Sequence, residues 1–235
     1  MKEAIYAIVR RVYRELRYRG LRVPIINPPV SRKIFQQIWR KDYETPEISA
    51  ILKLLKDGDR VIELGAGLGV VSSLAARART GVKVRSYEGN PDLFPYISEM
   101  HRRNGVENVD LRNEILLPNP QKPTMEFLTH RSFAESSILS HGAIMKRVQV
   151  PCRDINEVFT EFRPDIFICD IEGGEELLFD GVRLDGIRAV VIELHPAVIS
   201  RAAVKRVYDT CAAANLYARP ELSSANVVAF ERMDG

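Results

Sequence analysis

The sequence predicts a doubly wound α/β fold on three observations. Short β-branched apolar runs alternate with helical stretches along most of the chain, one run opens into a glycine-rich turn that starts a helix, and no internal repeat breaks the rhythm. With 235 residues, 46% of them hydrophobic and 28% charged, the chain can bury one full core and is too rich in aliphatics to be disordered. Its apolar runs fall short of the roughly 18 residues a membrane span needs. The first residues also lack the pattern of a secretory signal, so a cytoplasmic protein is expected.

At the N-terminus, Ile5, Ile8, Val9, Val12 and Leu16 recur at helical spacing beside Tyr6 and Tyr13, which predicts an amphipathic helix within residues 1–19. Residues 1–41 hold eleven Lys or Arg against Glu3 and Glu15, a local +9 that leaves −6 for the rest, since the whole chain carries +3. Such a helix either packs its apolar stripe or docks on an anionic membrane or acidic partner. Pro24, Pro28 and Pro29 then make residues 23–30 a connector. Residues 1–42 are accordingly expected to be a basic helical extension ahead of a domain at 43–235.

Thr45 as cap and Pro46 at the first helical position predict a helix over 46–55, with Ile48, Ile51, Leu52 and Leu55 on one face. Buried parallel strands follow at 60–64, 82–87, 109–112, 166–171 and 189–194. Helices are expected at 70–79, 93–104, 175–179 and 198–214. At the tail, 216–218 and 226–231 are too close for an intervening helix, so they form a hairpin with at least one antiparallel strand. Residues 116–162 read as an insertion containing Pro118, Pro120 and Pro123, strands at 125–129 and 147–150, and a helix at 155–162. Cys152, Cys169 and Cys211 show no CxxC spacing and read as ordinary interior residues.

The chemistry concentrates at Val61-Ile62-Glu63-Leu64-Gly65-Ala66-Gly67-Leu68-Gly69. Glycines let backbone approach a ligand closely, and the helix start offers unpaired N–H groups. The dinucleotide pattern GxGxxG needs glycine at position 70, where the chain has Val70. Glu63 is awkward beside a pyrophosphate and suits a cationic ligand carrying ammonium and sulfonium groups, as S-adenosylmethionine does. Glu88, at the end of the second strand and nineteen residues past Gly69, can accept hydrogen bonds from both ribose hydroxyls.

With ELGAGLG at 63–69 and YEGNP at 87–91, the sequence resembles class I S-adenosylmethionine-dependent methyltransferases. Asp170-Ile171-Glu172-Gly173-Gly174-Glu175 and Ile192-Glu193-Leu194-His195-Pro196 make it similar, within that class, to the FkbM family. It departs from the usual FkbM pattern in having Glu63 for Asp, Leu68 for Asn and Gly89 for proline. The resemblance implies a Rossmann-like seven-stranded sheet with an antiparallel last strand. It also implies O-methylation of a hydroxyl on a sugar, polyketide-type or other small metabolite. Cofactor contacts are expected from Glu63, Gly65, Ala66, Gly67, Gly69, Glu88, Gly89, Asn90 and Asp170, with Asn113 near the adenine.

Asp170 and Glu172 flank Ile171 at a strand's C-terminal end, where ligands of open α/β sheets bind. Either they face the crevice, holding the cofactor's amino acid end or a substrate hydroxyl, or Glu172 caps the next helix. His195, held extended before Pro196, is the candidate base for a hydroxyl proton, with a purely structural histidine as the alternative. Glu193 either orients His195 or lies at the polar end of the sheet. Tyr43 and Glu44 either close over the methionine end or only start a helix, while His101, His130 and His141 are less tellingly placed. Polar residues at 130–132 and 135–137 offer contacts to a polyhydroxylated acceptor or belong to an ordinary surface loop.

Asp170 and Glu172 lack a convincing third partner, so no metal is expected. Asn27-Pro28-Pro29-Val30 lacks the aromatic residue with which amino-methylating DNA enzymes stack a flipped base, and no nucleic acid is expected. A nicotinamide-dependent oxidoreductase and a non-catalytic nucleoside-binding or docking protein are the alternatives. The sequence leaves the oligomeric state open.

Overall fold

The computed structural model describes residues 12–26, 29–130 and 144–233. Its strands and helices run, in chain order, β1 (Glu15–Tyr18), β2 (Leu21–Pro24), α1 (Arg32–Arg40), α2 (Thr45–Leu54), β3 (Arg60–Leu64), α3 (Val70–Ala78), β4 (Lys83–Tyr87) and α4 (Phe94–Arg103). They continue with β5 (Val109–Arg112), β6 (Ile115–Leu117), β7 (Thr124–His130), β8 (Ile144–Asp154), α5 (Ile155–Phe162) and β9 (Ile166–Cys169). The last are α6 (Glu175–Leu178), β10 (Ala189–Glu193), α7 (Arg201–Ala213), β11 (Leu216–Ala218) and β12 (Val227–Arg232).

The central sheet has seven strands in the order β11-β12-β10-β9-β3-β4-β5. Pairing is parallel from β10 through β5, and β12 runs antiparallel to both β10 and β11. This is the Rossmann-like doubly wound sheet expected from the sequence, antiparallel last strand included. The central strands β9 (IFIC) and β10 (AVVI before Glu193) read as near-continuous apolar runs because both faces are covered. Val61, Ile166, Ile168 and Val191 face a layer with α1 to α4, while the alternate residues Ile62, Phe167, Cys169 and Ile192 face α5 to α7. The insertion adds a three-stranded sheet ordered β6-β8-β7.

Four local expectations are corrected. Residues 15–18 form a strand rather than the end of a helix, and the connector begins later than residue 23 because β2 holds Val23 and Pro24. The cause is a two-residue burial period: Leu16, Tyr18, Leu21 and Val23 all point into the core, and β1 and β2 pair antiparallel. Pro24 is the last residue of its strand, where a missing N–H is tolerated. Thr45 lies inside α2 rather than capping it; Glu44, in the left-handed conformation with φ 45°, is the cap residue. Sequence reasoning missed α1, whose N-cap Ser31 accepts a hydrogen bond from the Ile34 N–H at 3.4 Å. The proposed helix before residue 12 lies outside the described residues.

The hairpin β1-β2 bears on the site through one side chain. Tyr18, wholly buried, donates its hydroxyl to the Tyr43 carbonyl at 2.5 Å and ties down the turn that enters α2 with Glu44 and Glu47. Tyr18→Phe leaves that carbonyl without this partner. It is expected to lower stability by about 1–2 kcal/mol in urea unfolding while the chain stays folded.

Candidate functional site

A cavity of about 390 Å³ opens at the C-terminal ends of β3, β4, β9 and β10. Open α/β sheets bind ligands at such strand ends, and the volume falls in the roughly 300–1,000 Å³ range of ligand clefts. Its walls come from α1, the 42–47 segment, the glycine turn, the end of β4, β6, Phe127, residues 170–174, Glu193 and the turn before β12. Among the described residues, eight carboxylate side chains line it against one lysine, Lys33.

Two glycines shape this space. A Cβ on Gly65, whose φ is +87°, would come within 1.7 Å of the Asp170 carbonyl oxygen, so the glycine turn packs directly on the exit of β9. A Cβ on Gly89 would meet the Phe127 ring at 2.6 Å, and the insertion thus fills the space where the usual FkbM pattern has proline.

Glu88, 6% exposed, lines the cavity and clasps the glycine turn. Its Oε2 accepts from the Gly67 N–H at 3.0 Å and its Oε1 from the Asn90 N–H at 2.7 Å. Burial raises its pKa to about 7 despite these backbone donors. Gly65, Gly67, Gly89 and Asp170 line the same cavity. Other expected cofactor residues support it from behind. Asn113 donates to the Glu88 and Gly89 carbonyls at 2.7 and 3.2 Å, and the Asn90 side chain accepts from the Asp92 N–H. Ala66 packs with Leu93 and Ile97, and Gly69 precedes the first residue of α3. Glu63 lies within β3 and is 1% exposed; it accepts from the Ser86 hydroxyl through Oε2, while Oε1 has no hydrogen-bond partner.

The second group of side chains surrounds His195. Its Nδ1 meets Glu175 Oε1 at 2.5 Å, and Glu175 is wholly buried. A carboxylate only accepts, so this contact puts the ring hydrogen on Nδ1 and turns Nε2 the other way. Nε2 stands 3.3 Å from Glu172 Oε2 and 3.7 Å from Asp170 Oδ1. The fold therefore unites all three residues expected to be catalytic. Burial lowers the His195 pKa, but the Glu175 hydrogen bond and charge, then Glu172 and Glu193, outweigh it and leave it above the ordinary value. The ring expected as a neutral base thus sits where a proton is held more tightly than usual. Burial first, then Glu193, Glu172, Glu44 and Glu47, push the Asp170 carboxyl well above its usual range.

Sequence reasoning missed Glu175 and Glu47. Burial raises Glu47 to about 7, with Glu193 adding to the shift, and raises Glu44 to about 8. The only signal available was the placement of these acids beside expected strand and helix ends. Glu44 and Glu172 are both left-handed, at φ 45° and 50°, a conformation that is uncommon for such residues and clusters at functional sites. His101 is a core histidine, lowered to about 4 by burial, with Ser72 Oγ at 3.3 Å from its Nε2. Of the expected acceptor-loop residues, 131, 132 and 135–137 lie outside the described residues, as does His141, while His130 ends β7.

A family model described as the methyltransferase FkbM domain matches residues 63–210. No curated protein matches the sequence. Among solved structures, precorrin-6y C5,15-methyltransferase from Geobacter metallireducens aligns at 12% identity over 81% of this chain and 88% of its own, with a TM-score of 0.49. The ribosomal protein L11 methylase from Lactobacillus delbrueckii aligns at 11% identity over 82% and 80%, with a TM-score of 0.46. An rRNA methylase from Streptococcus thermophilus aligns at 12% over 80% and 94%, with a TM-score of 0.43.

Glu63 yields a pH prediction. Burial raises it from 4.5 to about 7, so between those values the folded protein keeps a proton the unfolded chain has released. Its contribution to stability is complete below pH 4.5 and is lost as pH rises towards 7. Glu63→Gln is expected to match the parent at pH 4.5 and to exceed its stability by roughly 1–3 kcal/mol at pH 8, read by urea unfolding of the ligand-free protein.

Proposed function

This chain belongs to the FkbM family of S-adenosylmethionine-dependent methyltransferases, and we propose that it O-methylates a hydroxyl of a small, uncharged polar metabolite of the sugar or polyketide type. The observation that carries the choice of acceptor is the acidic lining of the cavity, where among the described residues eight carboxyl groups, some of them protonated near neutral pH, face one basic side chain, Lys33. Phosphates and carboxylates would be repelled there, and with them nucleic acids; hydroxyl groups find an abundance of acceptors.

The residues present fit the cofactor. Glu88 keeps acceptor capacity for the ribose hydroxyls beyond its two backbone donors, and the acidic walls suit a ligand with two positive centres. When bound, S-adenosylmethionine supplies an electrophilic methyl group on sulfonium. The protein holds the acceptor oxygen in line with the departing sulfur, and positioning of this kind supplies much of the rate. Asp170, Glu172 and His195 orient the hydroxyl, and one carboxylate or imidazole acceptor of this group takes up its proton as the oxygen–carbon bond forms. Glu175 acts as a positioning residue by fixing the imidazole through Nδ1. We place the reaction in the cytoplasm, a setting that suits three buried, unpaired cysteines.

The test is methyl transfer from labelled S-adenosylmethionine to a panel of sugars, polyketide alcohols and their phosphorylated counterparts. The expected product is a labelled ether of a neutral acceptor. His195→Ala should lower kcat roughly 10²- to 10⁴-fold while S-adenosylhomocysteine binding stays within about threefold. Glu88→Ala should do the reverse, weakening that binding roughly tenfold or more. Preference for the phosphorylated acceptors, or a His195→Ala variant with full kcat, would reject the reading.

A further inference from the structure

We propose that Asp170, Glu193 and His195 form a divalent-cation site beside the cofactor crevice, of the hard-to-borderline kind that takes Mn²⁺ or Mg²⁺. Each residue offers one ligand atom, and the three atoms lie within 4.8 Å of one another. Donors about 2.2 Å from one ion stand at most about 4.4 Å apart, so a shift of a few tenths of an ångström closes the shell. Two carboxylates and one imidazole balance the charge of a divalent ion and favour Mn²⁺ over soft metals.

Three further observations point at a cation rather than at a mere gathering of acids. The imidazole is arranged as a metal ligand is: its Nδ1–H is spent on the wholly buried Glu175, and Nε2 faces the carboxylates. Ligating histidines characteristically give their other nitrogen to a carboxylate in this way. Asp170 Oδ1, one of the atoms facing Nε2, is shielded from solvent and accepts no hydrogen bond. Glu47, 6% exposed, adds a carboxyl oxygen without a hydrogen-bond partner to the same cavity wall, next to Glu193. No lysine or arginine reaches these groups in the described structure, where Lys33 is the one basic residue lining the cavity. A cation here would accept the substrate hydroxyl as a ligand, ease loss of its proton and leave Glu172 beside it to take that proton.

The site as such needs only the fold, and its role in catalysis rests on the O-methyltransferase reading, so the test measures metal directly. The full chain, stripped with EDTA, is titrated with Mn²⁺ alone and followed by calorimetry and by the electron paramagnetic resonance signal of free ion. One Mn²⁺ per chain is expected at micromolar affinity, displaced by Mg²⁺. Glu193→Gln, which conserves shape, should weaken Mn²⁺ at least 30-fold with S-adenosylhomocysteine binding within about threefold, showing that the variant is folded. His195→Ala should weaken Mn²⁺ as well. Absence of Mn²⁺ binding, or affinity unchanged in Glu193→Gln, overturns the site. Methyl transfer that persists undiminished in EDTA overturns its catalytic role and leaves O-methylation standing, whereas Mn²⁺ binding without any methylated product keeps the site and removes O-methylation.

Discussion

The structure is governed by the cost of burying carboxylates together. Acids converge on the cavity from the 42–47 segment, β4, β9 and β10. Desolvation holds Glu44, Glu47 and Glu88 at about 7 to 8 instead of 4.5. Such a cavity is satisfied by protons or by cations. The sulfonium and ammonium groups of S-adenosylmethionine are cations of the required kind, and their charge explains how a member of a Rossmann-like class can dispense with the phosphate-cradling third glycine. The same electrostatics underlie the proposals of an uncharged acceptor and of a divalent-cation site.

The fold makes this convergence unavoidable. Parallel strands bring all their C-terminal ends to one edge, and the glycine turn presses on the backbone of Asp170 closely enough that no Cβ fits between them. The glycine turn and the acidic cluster are thereby packed directly against each other. The opposite wall is held from a distance: Tyr18 of the N-terminal hairpin anchors the Tyr43 carbonyl, and the left-handed Glu44 that follows directs the chain into α2. Phe127 carries the insertion over Gly89 and closes a further side. The basic N-terminal segment is therefore joined to the site through its described residues.

What was legible in the sequence follows from which forces are local. The strands at 60–64 and 109–112 and the helix at 155–162 were read to their exact ends, because apolar runs and periodicity mark buried elements directly. The strand β1 was hidden by a competing helical stripe that included Leu16, although Leu16, Tyr18, Leu21 and Val23 already alternate. The helix α1 carried a readable signature in Ser31 followed by Ile34, Phe35 and Ile38, overshadowed by the prolines before it. At the site, the glycine turn was legible because one strand–turn–helix unit contains it, and Glu88 because it directly follows the next strand, β4. The pairing of His195 with Glu175 was not, since twenty residues separate them and only tertiary packing brings them together. Glu193 as a third partner for Asp170 was missed for the same reason: it ends a different strand.

The claim that this crevice selects a cationic sulfur nucleoside is tested most directly by calorimetric titration of the full chain with S-adenosylmethionine and, separately, with NAD. The account predicts stoichiometric binding of S-adenosylmethionine and no heat from NAD, whose pyrophosphate would face the carboxylates. Tight binding of NAD with no response to S-adenosylmethionine would contradict it.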